Sequence, residues 1–329
     1  MKAVGLFSGG LDSTLAIKVI LEQGIEIVAL NFMSPFCRCQ RGEGCGSVID
    51  QRAKELGASF RSMYLGDEYL EIVRNPKHGY GKNLNPCIDC RILKLKKAKA
   101  FMQEIGASFI ITGEVLGQRP MSQHRQALNL IEKESGLEGL ILRPLSAKLF
   151  APTLAENKGW VNREALLEIS GRTRKPQIKL AAQLGIKDYP CPAGGCLLTD
   201  SGFSKRLNDL IKYDIFTIKD IEFLKTGRYF RINPYFSLTV GRDEKENDRL
   251  VNICSKEDVV FEPLTEPGPV AIGRGRLDSE AKDICAKIVA RYTTKDKKIK
   301  VKIKIPADKE ECLAAEAIEE RELGKLRIN

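Results

Sequence analysis

Through the first two hundred residues, short unbroken apolar runs alternate with segments whose apolar positions recur every three or four residues. Lys2-Ala3-Val4-Gly5-Leu6-Phe7 is one such run, and Leu15, Ala16, Ile17, Val19, Ile20 and Leu21 follow it at helical spacing. The rhythm continues with strands expected over residues 25–32, 60–64, 108–113 and 140–145. Helices are expected near residues 48–56, closed by Gly57, then over 92–105, 121–131, 163–170 and 175–184. Strands that alternate with helices require parallel neighbours joined by right-handed crossovers. The fold class is therefore α/β, a doubly wound parallel sheet, in which ligands sit outside the carboxyl ends of the strands.

The pattern changes near Ser201. Two amphipathic helical stretches cover residues 203–224, and β-type segments follow at 228–232, 236–240 and 259–261. Lys298-Ile299-Lys300-Val301-Lys302-Ile303-Lys304-Ile305 alternates strictly, which predicts a strand with an apolar face inward and a lysine face outward. Such a face suits either a solvated edge strand or contact with phosphates. The chain thus divides into residues 1–200, an α/β domain, and residues 201–329, a smaller basic α+β domain.

Composition adds constraints. A chain of 329 residues holds about two domains, and 43% hydrophobic with 29% charged residues is ordinary for a globular protein. No apolar stretch approaches the roughly 20 residues that cross a bilayer, and the opening strand leaves no room for a signal peptide, so no membrane association and a cytoplasmic location are expected. In that compartment ten cysteines read as metal ligands, redox groups or buried thiols rather than structural disulfides. The net charge of +10 favours a polyanionic partner, of which nucleic acid is the usual one. His78 and His124 have no acid or cysteine beside them, which argues against a histidine-based triad.

Candidate chemistry gathers at two places. Ser8-Gly9-Gly10-Leu11-Asp12-Ser13 lies between the first strand and the first helix. Gly9 and Gly10 let backbone approach an anion, the helix amides supply donors, and Ser8 and Ser13 add hydroxyls. Asp12 can hold a magnesium ion that bridges phosphate oxygens. The plain alternative is a surface turn with Asp12 as an N-cap. The second place is Cys87-Ile88-Asp89-Cys90 at a loop-to-helix junction, with Cys196 about a hundred residues later behind Gly194-Gly195. One Cys-x-x-Cys is compatible with half a zinc site completed by Cys191, a redox pair, iron–sulfur ligation or no function. Cys37, Cys39 and Cys45 form a further cluster that can hold a second metal, while Cys254, Cys285 and Cys312 read as buried, inert thiols.

The opening loop resembles the pyrophosphate loop of ATP pyrophosphatases, which split ATP between its α and β phosphates to adenylate a substrate. Cys87-x-x-Cys90-Arg91, then Ile111-Thr112-Gly113-Glu114-Val115-Leu116-Gly117-Gln118 with Ser122-Gln123, then Leu142-Arg143-Pro144-Leu145, resemble the 4-thiouridine synthetase family of tRNA sulfurtransferases. The likeness implies ATP and Mg2+ at Ser8, Gly9, Gly10, Asp12, Ser13 and Gly113, with Asp12, Cys90 and Cys196 as catalytic residues. An additional cysteine at the place of Cys87 resembles the iron–sulfur-dependent tRNA thiolases, which implies a 4Fe-4S cluster on Cys87, Cys90 and Cys196 with one iron open. The implied partners are tRNA and a sulfur donor, either sulfide or a cysteine desulfurase persulfide. Lys148, Arg143 or Lys94 would neutralise phosphate charge.

Against the family pattern, the position of the loop at residue 8 leads to the expectation that the RNA-binding region ahead of it and a rhodanese domain after it are missing. Val240-Gly241-Arg242-Asp243-Glu244-Lys245-Glu246-Asn247-Asp248 resembles the RNA-binding module of ribosome-associated quality-control proteins, which would replace the missing region. The implied reaction is ATP-dependent thiolation of a tRNA uridine, with 4-thiouridine at position 8 ahead of 2-thiouridine at position 34. Amide-forming pyrophosphatases, thiamin-path sulfur transfer and a non-enzymatic RNA-binding protein with structural zinc are the competing classes.

Overall fold

The structure, a computed structural model, describes residues 1–37, 45–187, 189, 196–293, 298–307 and 309–329, the side chains of residues 45 and 46 excepted. It divides into two compact units, Met1–Thr199 and Asp200–Asn329. The expectations for Cys39, the Cys45 thiol and Cys191 lie outside the described residues.

In the first unit β1 (Lys2–Leu6), β2 (Glu26–Met33), β3 (Ser59–Tyr64), β4 (Phe109–Ile111) and β5 (Ile141–Leu142) form one parallel sheet in the order β3-β2-β1-β4-β5. The helices are α1 (Leu11–Leu21), α2 (Cys45–Leu56), α3 (Asp67–Arg74), α4 (Cys87–Glu104), α5 (Arg125–Ser135), α6 (Leu154–Asn157) and α7 (Lys175–Gln183). Because side chains alternate across a strand, Ala3, Ile27, Ala29, Phe109 and Ile111 meet α1, α2 and α7 on one face. Val4, Leu30, Ile110 and Ile141 meet Ile92, Leu95, Ala98 and Phe101 of α4 and Ile131 of α5 on the other. The sheet is thus buried on both sides, which explains its continuous apolar strands. Strand order reverses between β1 and β4, so the crevice that accepts ligands in such sheets opens beyond Phe7 and Thr112.

Several expected elements are placed differently. The helix expected over 121–131 starts only at Arg125, because His124 Nδ1 accepts the Ala127 amide at 3.3 Å and caps it, and Gly136 at φ 63° ends it. Residues 163–170 make a single tight turn, Arg163–Ala165, rather than a helix. α3 was hidden by its brevity, although Tyr69, Leu70 and Val73 mark its buried side.

The second unit is an antiparallel sheet, β11-β10-β8-β9-β7-β6, made from β6 (Arg228–Asn233), β7 (Phe236–Val240), β8 (Val259–Pro263), β9 (Ala271–Gly275), β10 (Ile299–Ile305) and β11 (Lys309–Ala315). Its helices are α8 (Ser201–Lys212), α9 (Ile218–Leu224), α10 (Glu244–Ile253), α11 (Ser279–Thr293) and α12 (Glu320–Leu326). Cys285, Ile288 and Val289 of α11 pack with Phe230, Phe261, Val301 and Ile303 on one face, and Phe223 and Leu250 cover Ile272 on the other. β9 and β11 were not anticipated: glycines interrupt the first, and the second is rich in charge. β10 has the expected inward apolar face, but it is an inner strand, not an edge. Its lysines meet glutamates of both neighbours, with Lys302–Glu310 and Lys304–Glu262 each at 2.9 Å. The inner position overturns the edge-strand reading of the lysine row. Cys285 is buried as expected, whereas Cys312 is exposed on β11. At the opposite edge the chain after α12 lies along β6, with a bridge between Phe230 and Arg327 and the Ile328 amide donating to Tyr229 O at 3.1 Å.

One buried ion-pair network ties the first unit together. Glu114, 3% exposed, follows β4 and accepts from Arg143 Nε at 2.9 Å, from Thr112 Oγ1 at 3.2 Å and from Arg91 of α4. Arg143, beyond β5, also pairs with Glu132 of α5. Burial alone raises the Glu114 pKa, but Arg91 and Arg143 outweigh it and hold the carboxyl below its ordinary value of 4.5. The resulting stability is present above that value and is lost as pH falls through the lower folded value. Removing one partner of such a buried pair costs about 3–5 kcal/mol. Glu114→Gln is therefore expected to lower the urea midpoint strongly at pH 7, with the gap to the unaltered protein narrowing below pH 4.5. Urea titrations of both proteins across that range check the sign.

Candidate active site

The loop between β1 and α1 is held by its own hydroxyls. Gly9 takes φ +70°, a left-handed conformation that a side chain would strain. Ser13 Oγ donates to Gly10 O at 2.9 Å, lies 3.1 Å from Ser8 Oγ and accepts the Ser8 amide at 3.3 Å. Gly10 occupies the N-cap with no side-chain cap, so the first amides of α1 are left for another acceptor. Asp12 is not the N-cap; it lies in the first turn of the helix. A carboxylate there faces the positive end of the helix dipole.

Gly113 closes the other side of the crevice. A Cβ built on it would stand 2.5 Å from the Ser13 amide nitrogen and 2.6 Å from the Asp12 carbonyl carbon, so only glycine lets the end of β4 meet the start of α1. Gln118 Nε2 donates to Asp12 Oδ2 at 3.0 Å, and Arg174 reaches the same oxygen at 3.6 Å. Behind Gln118 stands Gln177 of α7, which is fully buried. Asp12 Oδ1 and Arg174 Nε are both buried without a hydrogen-bond partner among the described residues. An unpartnered carboxylate oxygen fits a hard cation, and an unpartnered guanidinium nitrogen fits a phosphate. Arg119 joins them: partial burial of its guanidinium, with Arg91 and Arg174 close by, holds it below the usual arginine range, while Cys87 and Asp12 act the other way. Crowded positive charge of this kind is relieved by a bound anion.

The cysteines lie one helix away. Pro86 caps α4, and the Cys90 amide donates to Pro86 O at 2.9 Å, which sets Cys87 and Cys90 in the first turn. Cys196 is brought in by the Leu197 amide, which donates to Phe36 O at 3.0 Å, and by Thr199 Oγ1, which donates to Cys196 O at 2.8 Å. Phe36 meets Tyr69 edge-on with centroids 5.6 Å apart, and both are buried. Tyr69 is the common neighbour of the three thiols. Burial pushes its hydroxyl well above the usual range, and Cys90, Cys196 and Cys87 add to the effect, with the hydroxyl donating to Cys90.

Burial also pushes the Cys196 thiol up to about 12, against the Leu198 amide that donates to it and the nearby Lys94. Cys87 is raised by burial too, opposed by Arg91, Arg119 and Lys94. None of these cysteines is in a disulfide. Among the described residues no three His, Cys, Asp or Glu side chains converge on one metal ion. Three thiols around a shared neighbour are a donor set of the kind that iron–sulfur clusters take.

The crevice therefore brings Ser8, Gly9, Gly10, Asp12, Ser13 and Gly113 together, and Cys87, Cys90 and Cys196 form a second group around Tyr69. Arg91 belongs to both, since it follows Cys90 and pairs with Glu114 beside Gly113. Of the cations expected at phosphate, Arg143 is committed to Glu114 and Glu132, and Lys148 binds Glu164. Arg119 and Arg174 stand where those were expected. Their nearest sequence signal was the position of Arg119 directly after Gln118; nothing in the sequence marked Arg174 or Tyr69.

Residues 1–148 match the family described as thiamine biosynthesis protein (ThiI), and residues 227–327 match the NFACT protein RNA binding domain. A probable tRNA sulfurtransferase of Lysinibacillus sphaericus (strain C3-41) is 32% identical over 160 residues, covering 48% of this chain and 38% of that protein. A tRNA-specific 2-thiouridylase MnmA of Sulfurimonas denitrificans (strain ATCC 33889 / DSM 1251) is 30% identical over 117 residues, covering 33% of each. The crystal structure of a 4-thiouridine synthetase–RNA complex with bound ATP aligns at 23% identity and a TM-score of 0.38, over 68% of this chain and 52% of that one. The chain spans less than half the length of these two curated relatives. Residues 1–148 are thus similar to the ThiI family and 160 residues of the chain to a tRNA sulfurtransferase, while residues 227–327 are similar to the NFACT RNA binding domain.

Proposed function

We propose that the protein is an ATP-dependent tRNA uridine sulfurtransferase that converts a uracil carbonyl to a thiocarbonyl. The observation that carries this reading is the single network Gly113–Glu114–Arg91, which joins a phosphate-type loop to a helix that begins with two thiols. The α1 amides, with Arg119 and Arg174, would bind the phosphates of ATP, and Asp12 Oδ1 would take Mg2+. A uracil oxygen is a poor leaving group. Its attack on the α-phosphorus of ATP releases pyrophosphate, and the oxygen then departs with AMP when sulfide adds at the same carbon. With sulfide as donor no oxidant or reductant is required.

Cys87, Cys90 and Cys196 would hold a 4Fe-4S cluster. When bound, such a cluster supplies an iron free of protein ligands that can take up and hand on inorganic sulfide. The burial of Cys196 supports ligation over free nucleophilic action, because a thiol with its pKa at about 12 presents very little thiolate near neutral pH. Tyr69, whose hydroxyl donates to Cys90, would orient that thiol. The second unit would supply tRNA contacts, and a cytoplasmic setting follows from this substrate. The likeness over residues 113–123 favours 4-thiouridine at position 8. The match to a 2-thiouridylase favours 2-thiouridine at position 34 as the second reading.

Two experiments test this. Asp12→Ala is expected to lower tRNA-dependent AMP formation at least about a hundredfold with tRNA affinity retained, and AMP release at the normal rate would refute the pyrophosphatase assignment. In anaerobically purified protein, alanine at Cys87, Cys90 or Cys196 is expected to abolish both the iron–sulfur absorbance and thiolation. Full activity in iron-free protein, or in Cys87→Ala, would instead establish a persulfide–disulfide route through Cys90 and Cys196. Nucleoside mass spectrometry of the product tRNA identifies the thiolated carbon.

A further inference from the structure

A cavity of about 280 Å3 lies wholly within the second unit, and four of its lining residues are arginines: Arg206, Arg228, Arg242 and Arg327. They come from three directions. Arg206 stands on α8. Arg228 opens β6 opposite Val240 of β7, and Arg242 follows β7, so one hairpin presents both at the same end. Arg327 follows α12, where its main chain bridges Phe230 of β6. Gly202, in the first turn of α8, also lines the space, and a Cβ built on it would stand 3.6 Å from Asp200 Oδ1 and 3.8 Å from the Asn329 carboxyl carbon.

Charges of one sign gathered in this way repel each other. Burial, with Arg242 and Arg327 close by, holds Arg206 below the usual arginine range, and Asp200 opposes this. The Arg206 Nε is buried and has no hydrogen-bond partner among the described residues. Arg242 is compensated by Glu246, with Nε donating to its carboxylate at 2.9 Å. Arg228 donates to Gly241 O at 3.2 Å and lies 4.5 Å over the Tyr292 ring. Among the described residues Arg206, Arg228 and Arg327 carry no ion pair. Three guanidiniums without an ion-pair partner outnumber the two carboxyl groups near the space, those of Asp200 and of the Asn329 main chain, and their forked donors match the tetrahedral oxygens of phosphate. The volume falls just under the roughly 300–1,000 Å3 of small-molecule pockets, which suits one charged group better than a whole cofactor.

We propose that this pocket captures a phosphate group of RNA and so fixes the register in which RNA lies on the second unit. The inference rests on the reading that this unit binds tRNA. Arg206 and Arg327 supply charge that no ion pair among the described residues takes up, and a phosphate entering between them gives the Arg206 Nε its missing acceptor.

The test uses the full-length protein and tRNA binding followed by fluorescence anisotropy over a range of salt concentrations. Arg206→Gln and Arg327→Gln are each expected to weaken binding about tenfold and to reduce the salt slope by roughly one. Lys256→Gln, an exposed charge away from the pocket, is expected to change neither. Thermal unfolding separates this role from a structural one, since removing an unpaired buried guanidinium should not lower the melting temperature. Enzymatic removal of the terminal phosphate tells the two RNA sources apart. If the deficit of the variants disappears, the pocket holds a terminal phosphate; if it persists, an internal diester; either result supports the proposal. Unchanged tRNA affinity in both variants would overturn it while leaving tRNA binding by the protein intact. Calorimetric binding of inorganic phosphate that Arg206→Gln abolishes, with tRNA affinity unaltered, would overturn it in favour of a free phosphate ligand. Failure of the unaltered protein to bind tRNA at all would remove both the proposal and the reading beneath it.

Discussion

A charged carboxylate almost without solvent contact is tolerated only when its oxygens are filled by fixed donors, and the first unit is arranged around that requirement at Glu114. Its partners come from α4 and from the end of β5, and its own position follows directly on Gly113. Satisfying this buried charge therefore sets the distance between the helix that carries Cys87 and Cys90 and the strand end that touches the first turn of α1. The glycine beside it removes the last side chain that would keep those backbones apart. Two chemically different groups of residues are in this way held by a single electrostatic requirement rather than by packing alone.

The thiols show the complementary principle. An exposed cysteine beside cations is a nucleophile, whereas one lodged against Tyr69 and Phe36 is held neutral until something replaces its proton. Cys196 is of the second kind, despite Lys94 nearby. Arg91 and Arg119 act on Cys87 in the opposite sense, so the three thiols are not equivalent. A ligand that binds them releases protons and becomes more tightly held as pH rises.

Much of this was legible from the chain. The order of strands and helices in the first unit, the loop at Ser8–Ser13 and the pair Cys87–Cys90 are written in local patterns, since hydrophobic period and glycine placement act over a few residues. What was not legible depends on distant partners. Arg143 looks like any basic residue after a strand until Glu114 and Glu132 close on it, and Arg174 gains meaning only when the crossover returns it to Asp12. The lysine row of β10 was read correctly for direction and incorrectly for surroundings, because period fixes which way a side chain points but not which strand lies beside it. β11 escaped notice because charged strand residues look helical until an antiparallel neighbour is known.

The two borders of the second sheet carry a consequence of their own. On one side β11 exposes Lys309, Glu310 and Glu311, charges that discourage another strand from docking. On the other the segment after α12 already occupies hydrogen-bonding positions along β6. A sheet with one border charged and the other already occupied resists lengthening by a peptide or by a second copy through main-chain pairing. Recognition by this unit is thus left to side chains and loop ends, whose identity can change without altering the backbone ladder that supports them.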